Sequence, residues 1–202
     1  MRPIFTLFAV ALVAAGCYGP TMGTGPFKCV TISEDQGPQR IEQCGEVVDG
    51  RLVVHPTIRK ALQYDEFGLA AVYFDRIGWA WLFEKDGRVL DAVDFDNGPD
   101  YFEGGLSRII QEGKVGFINH QGQIVIPAVF QFATQFEGGY ALVATDAELV
   151  TEGEYSTFKG GRWGVIDTTG RLVVPIEKSR EEATRSALDR KNPIPTESDP
   201  TN

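Results

Sequence analysis

The run DAVDFDNGPD, Asp91 to Asp100, is the densest set of candidate metal ligands in this 202-residue sequence. Asp94-x-Asp96 followed by Asn97 and Gly98 is the order in which a calcium loop presents oxygen ligands ahead of a sharp turn. Such a loop places its glycine sixth and a bidentate glutamate twelfth. Here the glycine comes one position early and Gly105 stands twelfth, so the run is expected to form an acidic turn, and no metal site is expected. Only two histidines are present, His55 ahead of Pro56 and His120 at a predicted hairpin tip. Acyl transfer needs a nucleophile, a base and an orienting group that converge. Ser107 and Ser156 sit in no Gly-x-Ser-x-Gly elbow, and no glycine-rich loop followed by Lys-Ser/Thr offers a phosphate cradle. The expectation is a protein that is not an enzyme, with no catalytic residues and no cofactor; a hydrolase whose site assembles only in three dimensions is the weakest alternative.

The residues with the most definite chemistry are three cysteines, Cys17, Cys29 and Cys44. Residues 1–16 begin with a charged Arg2, run apolar from Ile4 to Ala15 and end in small residues. Such a run is too short for a spanning helix, which needs about 20 residues, but suits the centre of an export signal. Ala14-Ala15-Gly16-Cys17 resembles the bacterial lipobox, whose cysteine is acylated and becomes the new N-terminus. That resemblance implies a lipoprotein of the bacterial envelope, held to a membrane through a lipid on Cys17; a soluble secreted protein is the alternative. Assigning Cys17 to lipid leaves Cys29 and Cys44 as an even pair for an oxidising compartment. Between them Val30 and Ile32 alternate with polar residues, 34–39 read as a turn and Ile41 returns, so residues 29–49 are expected to form a hairpin. A register pairing Ile32 with Ile41 sets Cys29 opposite Cys44, and a disulfide there would stabilise by about 3 kcal/mol in the chain-entropy model. Residues 17–28 read as a flexible tether.

Nineteen basic residues against 28 acidic ones give a net charge of −9. No Lys/Arg cluster interrupts the acidity, so nucleic acid, whose affinity comes mainly from phosphate neutralisation, is excluded as a partner.

The positioning elements repeat. GKVGFINHQGQIVIP from Gly113 and GRWGVIDTTGRLVVP from Gly161 are identical at six of 15 positions. Turn glycines recur at Gly50, Gly87, Gly122 and Gly170, with gaps of 37, 35 and 48. A phenylalanine before small residues recurs at Phe67, Phe102 and Phe136, and both Phe67 to Gly87 and Phe102 to Gly122 span 20 residues. Phe136 to Gly170 spans 34, the same interval plus an insertion of 14 near residues 146–159. Each unit holds three short Val/Ile-rich runs bounded by Gly and Asp, the signature of strands, and a fixed period in this range marks a repeat array. Asn119 with Gly122, and Asp167 with Gly170, predict type I turns closed by a left-handed glycine. Pro127 and Pro175 should end the third strand or confine it to an edge. Three such strands bury no core alone, so stacked neighbours must supply the missing apolar face.

The pattern F-x-G-G-L/Y-A followed by x-W-G-x-I-D-x-x-G-x-x-V-x-P resembles the WG-repeat (KWG) family of bacterial proteins over residues 50–176. The strongest copy is Arg162 to Asp167; Lys114 to Asn119 keeps Gly116 but has Val115 for Trp, and Ala80-Trp81 are aligned with the dipeptide in the first unit. The resemblance implies an all-β, repeat-built, non-catalytic protein. The fold expected is tandem short antiparallel hairpins stacked in a row, solenoid-like or as an open propeller, and monomeric. Its expected role is binding another macromolecule, an envelope protein or a glycan. The candidate binding residues for a glycan or small ligand are Trp79 and Trp81, within an aromatic run over 64–83 that more readily fills a core, and Glu148, Glu152 and Glu154 in the acidic insertion, which a solvated loop would also explain. Residues 177–202 read as a charged, mostly disordered tail, with 177–190 able to form a short exposed helix.

Overall fold

The structure, a computed structural model, describes residues 25–191 except 34, 36 and 154. The export signal, Cys17, Glu154 and residues 192–202 lie outside the described residues. The fold is all-β, with two short helices. Four antiparallel three-stranded meanders follow one another. The first is β1 (Phe27–Ser33), β2 (Gly37–Val48) and β3 (Arg51–Val54), followed by helix α1 (Pro56–Ala61). The second is β4 (Leu69–Phe74), β5 (Gly78–Phe83) and β6 (Val89–Asp91). A small hairpin, β7 (Asp94–Phe95) and β8 (Gly98–Pro99), leads to the third: β9 (Leu106–Gln111), β10 (Lys114–Asn119) and β11 (Ile124–Phe130). After β12 (Phe132–Ala133) come β13 (Tyr140–Glu152), β14 (Tyr155–Asp167) and β15 (Leu172–Lys178), and helix α2 (Arg180–Lys191).

The middle strand of each later meander shows why the units stack. Successive side chains of a strand point to opposite faces. In β5, Ala80 and Leu82 face the first meander, while Trp81 and Phe83 face the third. In β10, Ile118 packs back onto the second meander and Val115 and Phe117 pack forward onto the fourth. In β14, Ile166 packs back, and Trp163 and Val165 pack forward onto Ala183 and Ala187 of α2. The second, third and fourth meanders are thus apolar on both faces, and the cores lie between units rather than within them. Burying each Phe, Leu or Ile contributes about 1.5–3 kcal/mol. The first and second meanders also join edge to edge through β1 and β4, giving one six-stranded sheet of order β3-β2-β1-β4-β5-β6.

The hairpin tips lock the stack. Asn119 Oδ1 accepts the amides of Gln121 and Gln123, and Asp167 Oδ1 accepts those of Thr169 and Arg171. The Thr169 hydroxyl, then the Arg171 side chain and these amides, hold the Asp167 carboxyl down at about 2. Gly122 (φ +68°) and Gly170 (φ +81°) close the turns as expected. They do more than turn. A Cβ on Gly170 would stand 3.1 Å from Ile126 Cγ1, and one on Gly122 would overlap the Phe83 ring and the Arg88 guanidinium. Each tip glycine therefore rests on the preceding unit.

Several expectations are corrected. Cys29 and Cys44 form a disulfide, but not in the expected register: Cys29 pairs with Ile41 and Ile32 with Pro38. A bulge between Phe27 and Cys29 supplies the shift, and the two Cα atoms are 6.0 Å apart, within ordinary disulfide reach. The boundary at 49/50 cuts a single meander, because β2 and β3 close through Asp49-Gly50. The tether cannot extend to residue 28, since Phe27 is fully buried in β1. The helix in the tail is not merely exposed: Ser179 and Glu182 form a reciprocal capping box, and Ala183 and Ala187 are buried against β14. Pro127 and Pro175 do lie on edge strands, yet the strands run on through them, because β11 and β15 are themselves bulged at the prolines.

Two outcomes follow for denaturant unfolding. Gly113 (φ +71°) has open space around its missing Cβ, so Gly113→Ala should cost only the left-handed strain of about 1–2 kcal/mol. Gly122→Ala should cost about 1–3 kcal/mol more than that through overlap with Phe83 and Arg88; equal midpoints would deny that the tips bear on their neighbours. Replacing Cys29 and Cys44 together with Ser should remove about 3 kcal/mol, since the cross-link closes a separation of 15 residues.

Candidate binding groove

Adjacent residues of β9 face opposite neighbours. Ser107 faces the second meander, where its Oγ accepts the Trp81 indole N–H at 3.1 Å and donates to the Asp100 carbonyl at 3.0 Å. Arg108 faces the fourth. Its Nη1 donates to the Ala133 carbonyl at 2.9 Å, and its Nε and Nη2 donate to the two Asp100 carboxylate oxygens at 3.0 and 2.7 Å. The Arg108 amide and Gln135 Nε2 add further donors to Asp100, each at 2.8 Å. Asp100 is fully buried and Arg108 nearly so. A bidentate, fully hydrogen-bonded pair of this kind is strong evidence of fixed geometry, although a buried pair need not add net stability.

Above this pair opens a groove of about 570 Å³, in the size range of ligand sites. Phe132, Phe136, Tyr140 and Leu142 form its apolar wall, and Thr184, Ala187, Leu188 and Lys191 of α2 form the facing side. Asp94 and Phe95 of β7 close one end. Glu103 and Glu137 occupy the same place in successive Phe-Glu-Gly-Gly turns, each marked by a bridge to the residue three along. Lys191 forms an ion pair with Glu137.

The residues singled out from sequence are dispersed. Trp81 is half-buried, bonded to Ser107 and packed on Phe102 with ring centroids 5.4 Å apart. Trp79 shares its face of β5 and packs edge-on against Tyr73 at 5.6 Å. The insertion is not a loop but a β ribbon. The equivalent turn in the third meander is Glu112-Gly113; in the fourth, Asp146 and Gly161 hold those left-handed positions, and residues 147–160 extend the hairpin between them. Its acids face cations: Glu152 bonds Lys159 at 2.6 Å, Glu148 pairs across from Lys159, and Asp146 binds Arg162. The acidic run 91–100 is divided likewise, with Asp94 accepting the Trp79 amide and Asp100 turned inward to Arg108. Among the described residues no group of three or more His, Cys, Asp or Glu could hold a metal. His120 stacks between Phe67 and Phe102, at 3.9 and 4.0 Å. Of the groove residues, the sequence analysis touched only the acidic run with Asp94 and the repeat marker Phe136, and neither as part of a groove; the one further signal was Arg108, a charge at an inward position of an otherwise apolar strand.

Strand pairing fixes the register of the units. Leu69 pairs with Phe83, Leu106 with Asn119 and Tyr140 with Asp167. Counting back three places from each partner gives Ala80, Gly116 and Gly164. Trp79-Ala80, not Ala80-Trp81, therefore stands in register with Val115-Gly116 and Trp163-Gly164; the turn after β5 is one residue longer, with Gly87 N bonded to Phe83 O. The model of the WG-containing repeat matches residues 116–147 and 163–177. The third and fourth meanders thus each contain a stretch similar to the WG-containing repeat. The first match runs from the middle strand of one WG unit into the first strand of the next, and the interruption falls on the inserted ribbon and its base. No curated protein and no solved structure matches the chain.

The Asp100–Arg108 pair joins three consecutive units, so Arg108→Ala should destabilise by about 3–5 kcal/mol by leaving a buried carboxylate uncompensated. Adding Asp100→Ala should cost far less than Asp100→Ala costs alone; additive losses in a double-mutant cycle would show that the two do not act as a unit.

Proposed function

We propose that this WG-repeat protein is a non-catalytic binding module of the bacterial cell envelope, exported and anchored through a lipid on Cys17, and that it engages another macromolecule at the groove. The groove carries this reading: it is an open, aromatic-walled cleft at the junction of two WG units and the terminal helix, held rigid from below by Asp100 and Arg108. Rigid scaffolding beneath a partly apolar cleft suits recognition. The Cys29–Cys44 disulfide supports an oxidising address. Trp79 and Trp81 offer a glycan weaker support, because Trp81 is engaged by Ser107 and Phe102.

Two measurements test it in cells. A fatty-acid analogue should label the wild type and not Cys17→Ala; equal labelling of both would defeat the anchor. A photo-crosslinking amino acid at Leu188, which is half exposed on the groove rim, should give discrete adducts that the same probe at Val53 in β3 does not. Matching adduct patterns at both positions would defeat the groove as the binding site.

A further inference from the structure

The charges of the groove are unequally compensated. Its two cations are both taken: Arg108 by Asp100, and Lys191 by Glu137. Asp94 and Glu103 are exposed carboxylates that also line it, and among the described residues neither has a cationic partner. The asymmetry follows from the repeat. Glu103 and Glu137 are equivalent, but only Glu137 meets the lysine of the terminal helix. Next to Asp94 stands Phe95, 40% exposed and with the Arg108 guanidinium 6.0 Å from its ring centroid, and the groove also holds the apolar wall of Phe132 and Tyr140 with Leu188 of α2 facing it.

We infer that the groove receives an extended segment of a partner protein carrying a Lys or Arg with an apolar side chain nearby. The cation sits beside the exposed part of the Phe95 ring with its charge toward Asp94 and Glu103, while the apolar side chain enters between Phe132 and Tyr140. A ring beside carboxylates favours such a side chain, which packs its apolar stem on the ring and pairs its charge with the acids. An acidic segment would meet only paired cations and bare carboxylates, so charge selects the partner as well as attracting it. This inference rests on the binding-module reading above and names its partner chemistry.

Fluorescence anisotropy with three labelled nine-residue peptides, alternating Leu with Lys, Ser or Glu, tests it on the folded exported chain. The Lys peptide should bind tightest and weaken as salt is raised. Glu103→Gln should weaken it about fivefold and Glu103→Lys about tenfold or more, with an unchanged melting curve because Glu103 is exposed. Phe95→Ala should weaken it as well, and Glu46→Gln on β2 should leave it unaltered. Equal binding of the three peptides, or indifference to Glu103→Lys, would overturn the inference. So would binding of a chito-oligosaccharide with no binding of the peptides, which would assign the cleft to sugars. Adducts at Leu188 in cells together with any of these failures would leave the binding module standing and remove only its basic partner.

Discussion

Every other feature of this protein depends on sheets that are apolar on both faces. A three-stranded meander of six-residue strands has too little area on one face to offset the conformational entropy of ordering it. Here the alternation along β5, β10 and β14 assigns one set of side chains to the unit behind and the other to the unit ahead. The consequence is a row of shared cores, each half built by a different stretch of chain. No unit is a domain in its own right, and removing the second or third would expose two greasy faces at once.

That dependence explains the residue pair at the centre of the WG signature. Gly116 and Gly164 are not turn glycines. A Cβ on Gly116 would stand 2.6 Å from the Ala128 amide, and one on Gly164 would stand 2.7 Å from the Val174 carbonyl. The close approach arises because the third strand bulges toward the middle strand at both places, and Pro127 and Pro175 lie in the bulged segments. Proline has no amide to give a ladder and is tolerated on an edge or at a bulge. The second meander has neither feature: Ala92 follows Gly87 by the same interval as the prolines follow theirs, β6 pairs regularly with β5, and Ala80 fits where glycine is otherwise required. Across the last three meanders glycine and proline thus form one device, present together in the third and fourth and absent together in the second.

Local chemistry was legible in the sequence, and long-range registration was not. The strands, the Asn119 and Asp167 turns and the inter-unit stacking are all read from alternation and turn residues, because these depend on near neighbours. The equal spacing of 20 residues from Phe67 to Gly87 and from Phe102 to Gly122 misled. It conceals a turn before β4 shortened by two residues and two later turns lengthened by one each, which together cancel. The insertion looked acidic because its acids run together along the sequence, while Lys159 and Arg162 are brought opposite them only when the ribbon folds. Ser179 and Glu182 did carry a readable helix start, but a helix held by two alanines has no hydrophobic stripe to announce it.

Those two alanines bear on how the row ends. The forward face of the last unit presents Trp163, almost fully buried, its indole N–H given to the Gly160 carbonyl at 2.7 Å and its ring close to Phe132 at 5.4 Å. Another WG unit could occupy that face, and an uncovered one would invite end-to-end association. A narrow helix surface suits a large flat indole better than a second sheet does: Ala183 and Ala187, one turn apart, let the backbone of α2 approach, and Arg180 lies over the ring at 5.1 Å. The same helix brings Lys191 to Glu137 and supplies one side of the groove. Closing the stack and shaping the binding cleft are therefore one act of packing, which is why the cleft forms at the end of the array, where a helix replaces the next repeat.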